Sequence, residues 1–420
     1  MSKFSLRLVA PLTLILTLLP CLDGGNVARA QDARSNQSDV NQQLLERVRE
    51  LEAKVKQLEQ KDNVAAAAPA ASPASAAAPE AAPVVEQPQV NAVADRLKLL
   101  FFGDTGYQTG RYFGPTNSFE FGQFDMVANA QLSDRVSVLG EILFSANSDN
   151  TVALDVERLY LKYRQNDYLT ASVGRIHTAI GYYNTAFNRG DYFQTAIGRP
   201  AMFEFDDEGG FLPMQDLGIV INGEIPSGDL GLNYVFEVTN GRKYGVNVEP
   251  SQNHSDGNNS KAVNFNLSAK PGKIPGLIVG FSIRHDYLSD AQNIHVSETI
   301  PVVYAVYTNT TYEWLSEGML VRHTMSGGPT VYTVGFYSQF SRRFGHFRPY
   351  FRYSYVNAPL DDPIYGNPIE IAVVGRINGP TVGMRYDFTR HSAIKFQYQR
   401  EASRAALPTN GGSAQLDFTF

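Results

Sequence analysis

The sequence predicts an all-β transmembrane barrel of about sixteen antiparallel strands, preceded by a short N-terminal coiled-coil helix. From about Ala94 onward, stretches of about ten residues alternate apolar and polar side chains, as strands with one buried face do. Tight turns near residues 133, 165, 227, 273, 308, 345 and 391 alternate with longer loops at about 182–215, 242–260, 290–300 and 360–378. Short connections on one side, long ones on the other and an even strand count are typical of a barrel that spans a membrane.

The C-terminal stretch "SAQLDFTF" indicates that the sheet is closed. Leu416, Phe418 and Phe420 alternate with polar residues up to the last position. We therefore expect the last strand to pair with the first, near residues 97–113, because only a closed sheet satisfies its edge strands in lipid. A soluble β-sandwich is the alternative, but it would cover its apolar face with a second sheet and rarely carries so many aromatic side chains.

Four regions are predicted: a signal peptide over 1–30, a periplasmic coiled coil over 31–63, an Ala/Pro-rich linker over 64–93 and the barrel over 94–420. In the first region Lys3 and Arg7 precede the apolar run "LVAPLTLILTLLP", and "ARA" closes the segment. An uncleaved membrane anchor is one alternative, although the run is short for a span. A lipoprotein cleavage site at Cys21 is another, although Pro20 is a poor neighbour for it. Cys21 is the single cysteine, so its removal with the signal leaves no disulfide.

The second region carries a heptad pattern. Its core positions are spaced four, three, four and three residues apart: Leu44, Val48, Leu51, Val55 and Leu58. A lone amphipathic helix is the alternative, and about three heptads are marginal alone, so we expect another part of the chain to bring the helices together. Val at a and Leu at d favours two helices, whereas Leu45 would suit a third, and the number stays open. The linker that follows lacks a period and predicts an extended spacer.

Composition and motifs exclude several classes of function. The formal net charge of −6 argues against a nucleic-acid partner. The sequence has no Gly-x-x-x-x-Gly-Lys phosphate loop and no paired Cys or His at metal-binding spacing, so we expect no cofactor and no metal. The seven His are scattered, and we interpret His177, His285 and His323 as solvated or wall-lining residues.

Two stretches make the chain resemble a Gram-negative outer-membrane porin. In that family an aromatic C-terminal residue, with apolar residues two and four positions before it, is the signal read by the barrel-assembly machinery, and Phe420, Phe418 and Leu416 match it. The stretch "ERLYLKYRQNDYLTASVGR" is similar to the fourth strand, turn and fifth strand of porins, which commonly end in Gly-Arg, here Gly174 and Arg175.

The resemblance implies a trimeric diffusion porin in the lipid of the cell outer membrane, with its N-terminal region in the periplasm. An N-terminal coiled coil is not general among porins. It makes the chain similar to the sucrose porin and to some porins of small organic acids, and it suggests a contact with peptidoglycan.

The resemblance also implies a pore constriction. The third external loop of porins folds into the lumen, and the corresponding loop here, at about 182–215, carries an acidic cluster: Glu204, Asp206, Asp207 and Glu208. Met202, Phe203 and Leu212 indicate that this loop packs onto another surface. An acidic tip that stands in solvent is the alternative.

Strand parity predicts a basic wall opposite that loop. On the fourth strand Leu159 and Leu161 face lipid, which turns their charged neighbours inward. The same parity gives an inward set of Arg158, Lys162, Arg348, Arg352, Arg385 and Lys395. Basic residues at the barrel rim are the alternative for about half of these, and Arg164 and Arg343 fit the rim best. The stretch "SEGML" breaks the alternation, so the eleventh strand receives no inward face.

The predicted function is therefore passive diffusion of small hydrophilic or charged solutes, with no catalysed reaction. A structural barrel tethered to the cell wall through the coiled coil is the alternative. A barrel enzyme is a third class, which would need a Ser–His or Asp–His constellation, and His254 in "SQNHSDGNNS" has no matching partner. Neither the solute nor the charge selectivity follows from the sequence, because the acidic loop and the basic wall oppose each other.

Overall fold

The computed structural model describes residues 96–114, 116–146, 150–187, 191–204, 212–242, 255–289, 295–365, 376–403 and 408–420. The predicted signal peptide, coiled coil and linker lie outside these residues, as do the coiled-coil core positions Leu44, Val48, Leu51, Val55 and Leu58. No helix in the described part of the chain is long and apolar enough to cross a membrane.

The described residues form sixteen strands: β1 (Leu97–Thr109), β2 (Ser118–Gln131), β3 (Val136–Ala146), β4 (Val152–Asn166), β5 (Leu169–His177), β6 (Gln215–Ile225), β7 (Leu232–Thr239), β8 (Ala262–Ala269), β9 (Leu277–Ser289), β10 (His295–Thr308), β11 (Tyr312–Met325), β12 (Thr330–Arg342), β13 (Phe347–Asn357), β14 (Arg376–Asp387), β15 (Ser392–Ser403) and β16 (Thr409–Thr419). Each strand pairs with its neighbours in sequence, and β1 pairs antiparallel with β16, so the sheet is a closed barrel. The predicted closed antiparallel barrel is confirmed.

Short helical turns lie in the connections. Between β5 and β6 are a one-turn helix, α1 (Tyr183–Ala186), and two 3-10 turns (Asp191–Phe193 and Ala201–Phe203). A further 3-10 turn (Gly228–Leu230) lies between β6 and β7. Long connections occur near 182–215, 242–260 and 360–378 as the sequence predicts, whereas the loop predicted at 290–300 is short, because β10 begins at His295.

Strand β12 shows how alternating side chains give the barrel wall an outer and an inner face. Tyr332 and Phe340 are each 48% exposed, whereas Tyr337 and Gln339 are buried. Because successive side chains point to opposite faces of a sheet, the first pair lies on the outer surface and the second pair faces the barrel interior. An apolar outer surface is what a membrane-spanning barrel needs.

The C-terminal residue closes the barrel against β1. The backbone N–H of Phe420 donates to the carbonyl oxygen of Phe101 at 3.1 Å, and the N–H of Phe101 donates back at 3.0 Å. The two rings stack with centroids 5.1 Å apart on the outer surface. Leu416 and Phe418 share that surface, while Asp417 between them is buried. Pairing of the last strand with the first is confirmed, and the role of these residues as an assembly signal stays a prediction.

Gly174 of the Gly-Arg pair has a structural reason to be glycine. Its φ is +141°, and a Cβ atom there would lie 2.1 Å from the carbonyl oxygen of Leu159. L-residues with a side chain rarely adopt this conformation, so the close approach of β5 to β4 requires glycine.

An apolar core lies inside the barrel, on one side. The inward-facing side chains of β10 and β11 include Val302, Leu315 and Met319, all of which are buried. The interior of a channel barrel is normally polar. An apolar inward face therefore requires something folded against it, and the connection between β5 and β6 supplies part of that cover.

Candidate functional site

We call the connection between β5 and β6, residues 178–214, the long loop; its described residues, 178–187, 191–204 and 212–214, pack against the inner face of the barrel. Its side chains Tyr183, Met202 and Phe203 are almost completely buried. They share one apolar cluster with the inward-facing Leu315 of β11 and Tyr337 of β12. The ring of Tyr183 stacks on Phe203 at 5.5 Å and meets Tyr337 edge-on at 5.7 Å. The long loop is therefore packed against the opposite wall through ordinary core contacts.

Glu317 of β11 binds the backbone of the long loop. Its carboxylate accepts hydrogen bonds from the N–H groups of Tyr182 at 2.7 Å and Tyr183 at 2.9 Å, and from the hydroxyl of Tyr337 at 2.8 Å. Gly181 allows this approach, because its φ is +69° and a Cβ atom would lie 2.3 Å from the Glu317 carboxylate. Burial, together with the nearby Glu317 carboxylate, raises the pKa of the Tyr182 phenol.

Three further strands hold the same stretch of backbone. Glu237 of β7 accepts a hydrogen bond from the N–H of Ala179 at 3.0 Å. Asn266 of β8 donates to the carbonyl oxygen of Ala179 at 3.0 Å, and Ser282 of β9 accepts from the N–H of Gly181 at 2.9 Å. Buried backbone groups without partners are costly, so these side chains provide what a folded-in loop requires.

The second half of the long loop is bound by the predicted basic wall. Arg352 of β13 donates to the carbonyl oxygens of Gly198 at 2.8 Å and Ile197 at 3.3 Å. Arg385 of β14 donates to the carbonyl oxygen of Gln194 at 2.9 Å, and its guanidinium lies over the ring of Tyr192 at 5.0 Å.

Arg348 also reaches this half of the loop. It donates to the hydroxyl of Thr195 at 3.3 Å and lies 3.7 Å from the Glu313 carboxylate. Each of the three arginines, Arg348, Arg352 and Arg385, therefore contacts the long loop.

The remaining predicted wall residues also face inward. Lys395 of β15 is fully buried and pairs with Asp417 at 3.2 Å. Arg158 of β4 is buried and pairs with Glu141. Lys162 is half-buried and lies 5.5 Å from the centre of the Tyr160 ring. Arg158 and Lys162 stand on β4, across the barrel from β13, so the structure divides the predicted basic set between two opposite walls.

The two predicted rim residues lie at the ends of strands. Arg164, near the end of β4, pairs with Asp167 in the exposed turn that follows, and Arg343 lies 3.0 Å from Asp387 just after β12.

Of the predicted acidic cluster, only Glu204 belongs to the described residues. It follows the 3-10 turn at Ala201–Phe203 and is half-buried. Partial burial and the charges of Glu204 and Glu401 raise the pKa of Tyr112, in the connection between β1 and β2, above its ordinary range. Asp206, Asp207 and Glu208 lie outside the described residues.

Sequence reasoning missed Glu313 and Glu317. Both lie on β11, where "SEGML" interrupts the alternation of polar and apolar residues, and the structure turns both inward. Leu315 and Met319 lie on the same inward face as the two glutamates, because they pack against the long loop. The inward face of β11 therefore contains both apolar and acidic side chains, and the sequence pattern does not identify it. The even spacing of Glu313 and Glu317 is the one signal that could have placed them on a common face.

His323 lines the wall on β11 but is not solvated. It is completely buried between two carboxylates from other parts of the chain, which the sequence pattern does not predict. No group of three or more His, Cys, Asp or Glu side chains in the described part of the chain is arranged to hold a metal ion.

A search of the solved structures found barrels of the same architecture. The anion-selective porin from Comamonas acidovorans superimposes with a TM-score of 0.56 at 11% sequence identity, over 77% of this chain and 99% of that one. Salmonella typhi OmpF, in a complex with daunomycin, gives 0.53 at 12% identity over 77% and 97%. The outer membrane channel DcaP of Acinetobacter baumannii gives 0.50 at 9% identity over 77% and 97%. At such low identities the likeness establishes a porin fold and nothing further.

A scan against protein-family models found no match, and a search of the curated proteins found none either.

Proposed function

We propose that this chain, which has the fold of the outer-membrane porins, is an outer-membrane diffusion porin. Small hydrophilic or charged solutes would pass through the barrel without a catalysed reaction, and the long loop would narrow the passage. One observation carries the proposal: the backbone of the long loop is bound by inward-facing side chains, Glu317 and Arg352 among them. A loop inside a closed barrel takes up part of its cross-section and leaves the rest to solutes.

The basic and acidic residues would set the field across this passage. Arg158 and Lys395 are paired with carboxylates, so their charges are largely cancelled. Among the described residues, Lys162 and Arg352 form no ion pair, and the carbonyl partners of Arg352 are neutral. We therefore expect Lys162 and Arg352 to dominate the positive potential, opposed by the acidic cluster Glu204, Asp206, Asp207 and Glu208.

The proposal includes partners and a place in the cell. The apolar outer surface would contact outer-membrane lipid, the terminal Leu416, Phe418 and Phe420 would be read by the barrel-assembly machinery, and three copies would associate. The N-terminal region would lie in the periplasm, with the coiled coil in contact with peptidoglycan.

Single-channel recording in a planar lipid bilayer tests the proposal. Folded protein should insert in discrete conductance steps, and a salt gradient across the bilayer should give a reversal potential that reports the charge preference. Heat-unfolded protein at the same concentration is the control. A folded, inserted barrel that carries no current would overturn the porin function and favour the structural tether.

A further inference from the structure

A second part of the chain is folded into the barrel. Residues 358–365, which we call the latch segment, follow β13 in the connection to β14. Ala358, Ile364 and Tyr365 are buried to 2% exposure or less. They belong to the same interior cluster as Val321 of β11 and Tyr337 of β12. The latch segment therefore lies against the inner wall.

Asp362 is the centre of the latch segment's polar contacts. One carboxylate oxygen accepts hydrogen bonds from the N–H groups of Ile364 at 2.9 Å and Tyr365 at 3.0 Å, and from Nδ1 of His323 at 2.8 Å. The other accepts from the hydroxyl of Thr333 on β12 at 3.1 Å. Asp362 thus organises the segment's own turn and joins it to two strands.

His323 links the latch segment to β10. Its Nε2 lies 2.8 Å from the Glu298 carboxylate, while its Nδ1 binds Asp362. Ionised carboxylates only accept hydrogen bonds, so both ring nitrogens of His323 donate and the ring is positively charged. The ring of Tyr365 packs on this imidazole, with centroids 4.9 Å apart.

Arg242, just after β7, completes the cluster. It pairs with Glu298, donates to the Tyr365 hydroxyl at 2.9 Å, and its backbone N–H donates to Asp286 at 3.1 Å. Arg242 and His323 supply the positive charges beside Glu298 and Asp362, and Arg284 pairs with Asp286 and Asp216 next to them. Removing one member of such a buried cluster is costly, because it leaves a partner uncompensated.

We propose that the latch segment is a second element that narrows the channel and that His323 positions it there. The inference rests on the proposed diffusion function. The latch segment and the long loop share one apolar cluster, against the inner faces of β9 to β13. Together they fill the interior beside those strands, which reduces the cross-section left to solutes. The long loop also reaches β1 to β3, where Tyr192 packs against Phe102, Val127 and Leu139.

Asp362→Asn tests the positioning, with Asp361→Asn as its matched control. The two substitutions remove the same charge from adjacent positions, but Asp361 is exposed whereas Asp362 is buried in the cluster. Each is combined with Ile364→Cys, and the reaction of that thiol with a membrane-impermeant maleimide is measured in folded barrels. We expect labelling about tenfold faster or more with Asp362→Asn, which corresponds to 1.4 kcal/mol of lost anchoring. We also expect a larger single-channel conductance, and neither change with Asp361→Asn.

Equal labelling and equal conductance in the two variants would overturn the positioning role of the cluster. Faster labelling with unchanged conductance would overturn the narrowing. If Asp362→Asn fails to fold, Ile364→Cys and Asp361→Cys are compared in the otherwise unchanged barrel. Equal labelling of those two thiols would show that the segment is not folded in. The absence of any channel in the unsubstituted protein would overturn the porin function itself, whereas slow labelling at position 364 would still support the inward fold.

Discussion

Arg352 on β13 donates a 2.8 Å hydrogen bond to the carbonyl oxygen of Gly198 in the long loop. The two residues are 154 positions apart in the chain. The contact gives a wall arginine two roles, because its neutral partner fixes the loop without cancelling the positive charge. A residue that strand parity marked as part of an electrostatic wall is also a mechanical support for the loop.

Arg352→Gln should therefore loosen the long loop. A hydrogen bond to a charged group contributes about 1.5–3 kcal/mol, and the shorter amide cannot bridge two carbonyl oxygens in the same geometry. We expect a lower unfolding temperature on heat-modifiability gels and larger fluctuations of the open-channel current. Arg390→Gln removes the same charge from an exposed turn and should change neither. Indistinguishable noise and unfolding in the two variants would mean that the contact does not restrain the loop.

Replacing Asp206, Asp207 and Glu208 with Asn, Asn and Gln should shift the permeability ratio toward anions. A unit charge at 4 Å is worth about 4 kcal/mol at an effective dielectric of ~20, before salt screening over ~8 Å. Even a tenth of this value, summed over three charges, changes a ratio severalfold. The measurement is the reversal potential in a salt gradient.

A matched control for the acidic loop exists at the opposite end of the barrel. Asp134, Asp167 and Asp229 lie in exposed tight turns, so the triple Asn variant removes the same charge far from the long loop. It should leave the reversal potential nearly unchanged. If both triple variants shift it equally, the loop charges act only through net charge and not at a constriction.

Phe420→Asp should reduce the amount of folded barrel and leave unfolded chain in the periplasm. The substitution removes the terminal aromatic side chain and its stack with Phe101. Phe347→Asp is the control, because Phe347 is an exposed aromatic residue that begins β13 next to a tight turn, at the same rim. We expect a much smaller loss of heat-modifiable barrel with Phe347→Asp. If both variants lose the same amount of folded barrel, the loss comes from placing a charged residue on the outer surface and not from a terminal assembly signal.

The stability of the barrel should depend on Asp362 in a pH-sensitive way. Burial raises the pKa of this carboxyl, but the hydrogen bond and charge of His323 and two backbone N–H groups outweigh it and hold the pKa below its ordinary value. A depressed pKa means that Asp362 contributes its full stability above the unfolded value of about 3.9 and loses it as the pH falls below that value.

The measurement is the difference in unfolding free energy between the unsubstituted protein and Asp362→Asn. This difference should shrink as the pH falls from about 4 toward about 2. Asp361→Asn should show no comparable trend. A difference that grows on acidification would contradict the assigned direction.

The sequence by itself determined the wall of the barrel. Each strand has lipid on one face and the barrel interior on the other, so the alternation in β12 predicts which side chains point outward. The terminal Phe420 predicts that the last strand pairs with the first, because only a closed sheet satisfies its edge strands in lipid. Most of the tight turns likewise followed from local residue patterns.

The tertiary structure alone decided what fills the barrel. Glu317 binds Tyr183, and His323 binds Asp362, across 134 and 39 positions of the chain respectively. No local periodicity encodes such contacts, because they depend on which loop folds inward and which strand it meets. Where loops cover the wall, as on β10 and β11, inward residues become apolar and the alternation no longer distinguishes the two faces of the strand. The residues that position the loops are therefore the ones that the alternation of polar and apolar residues does not predict.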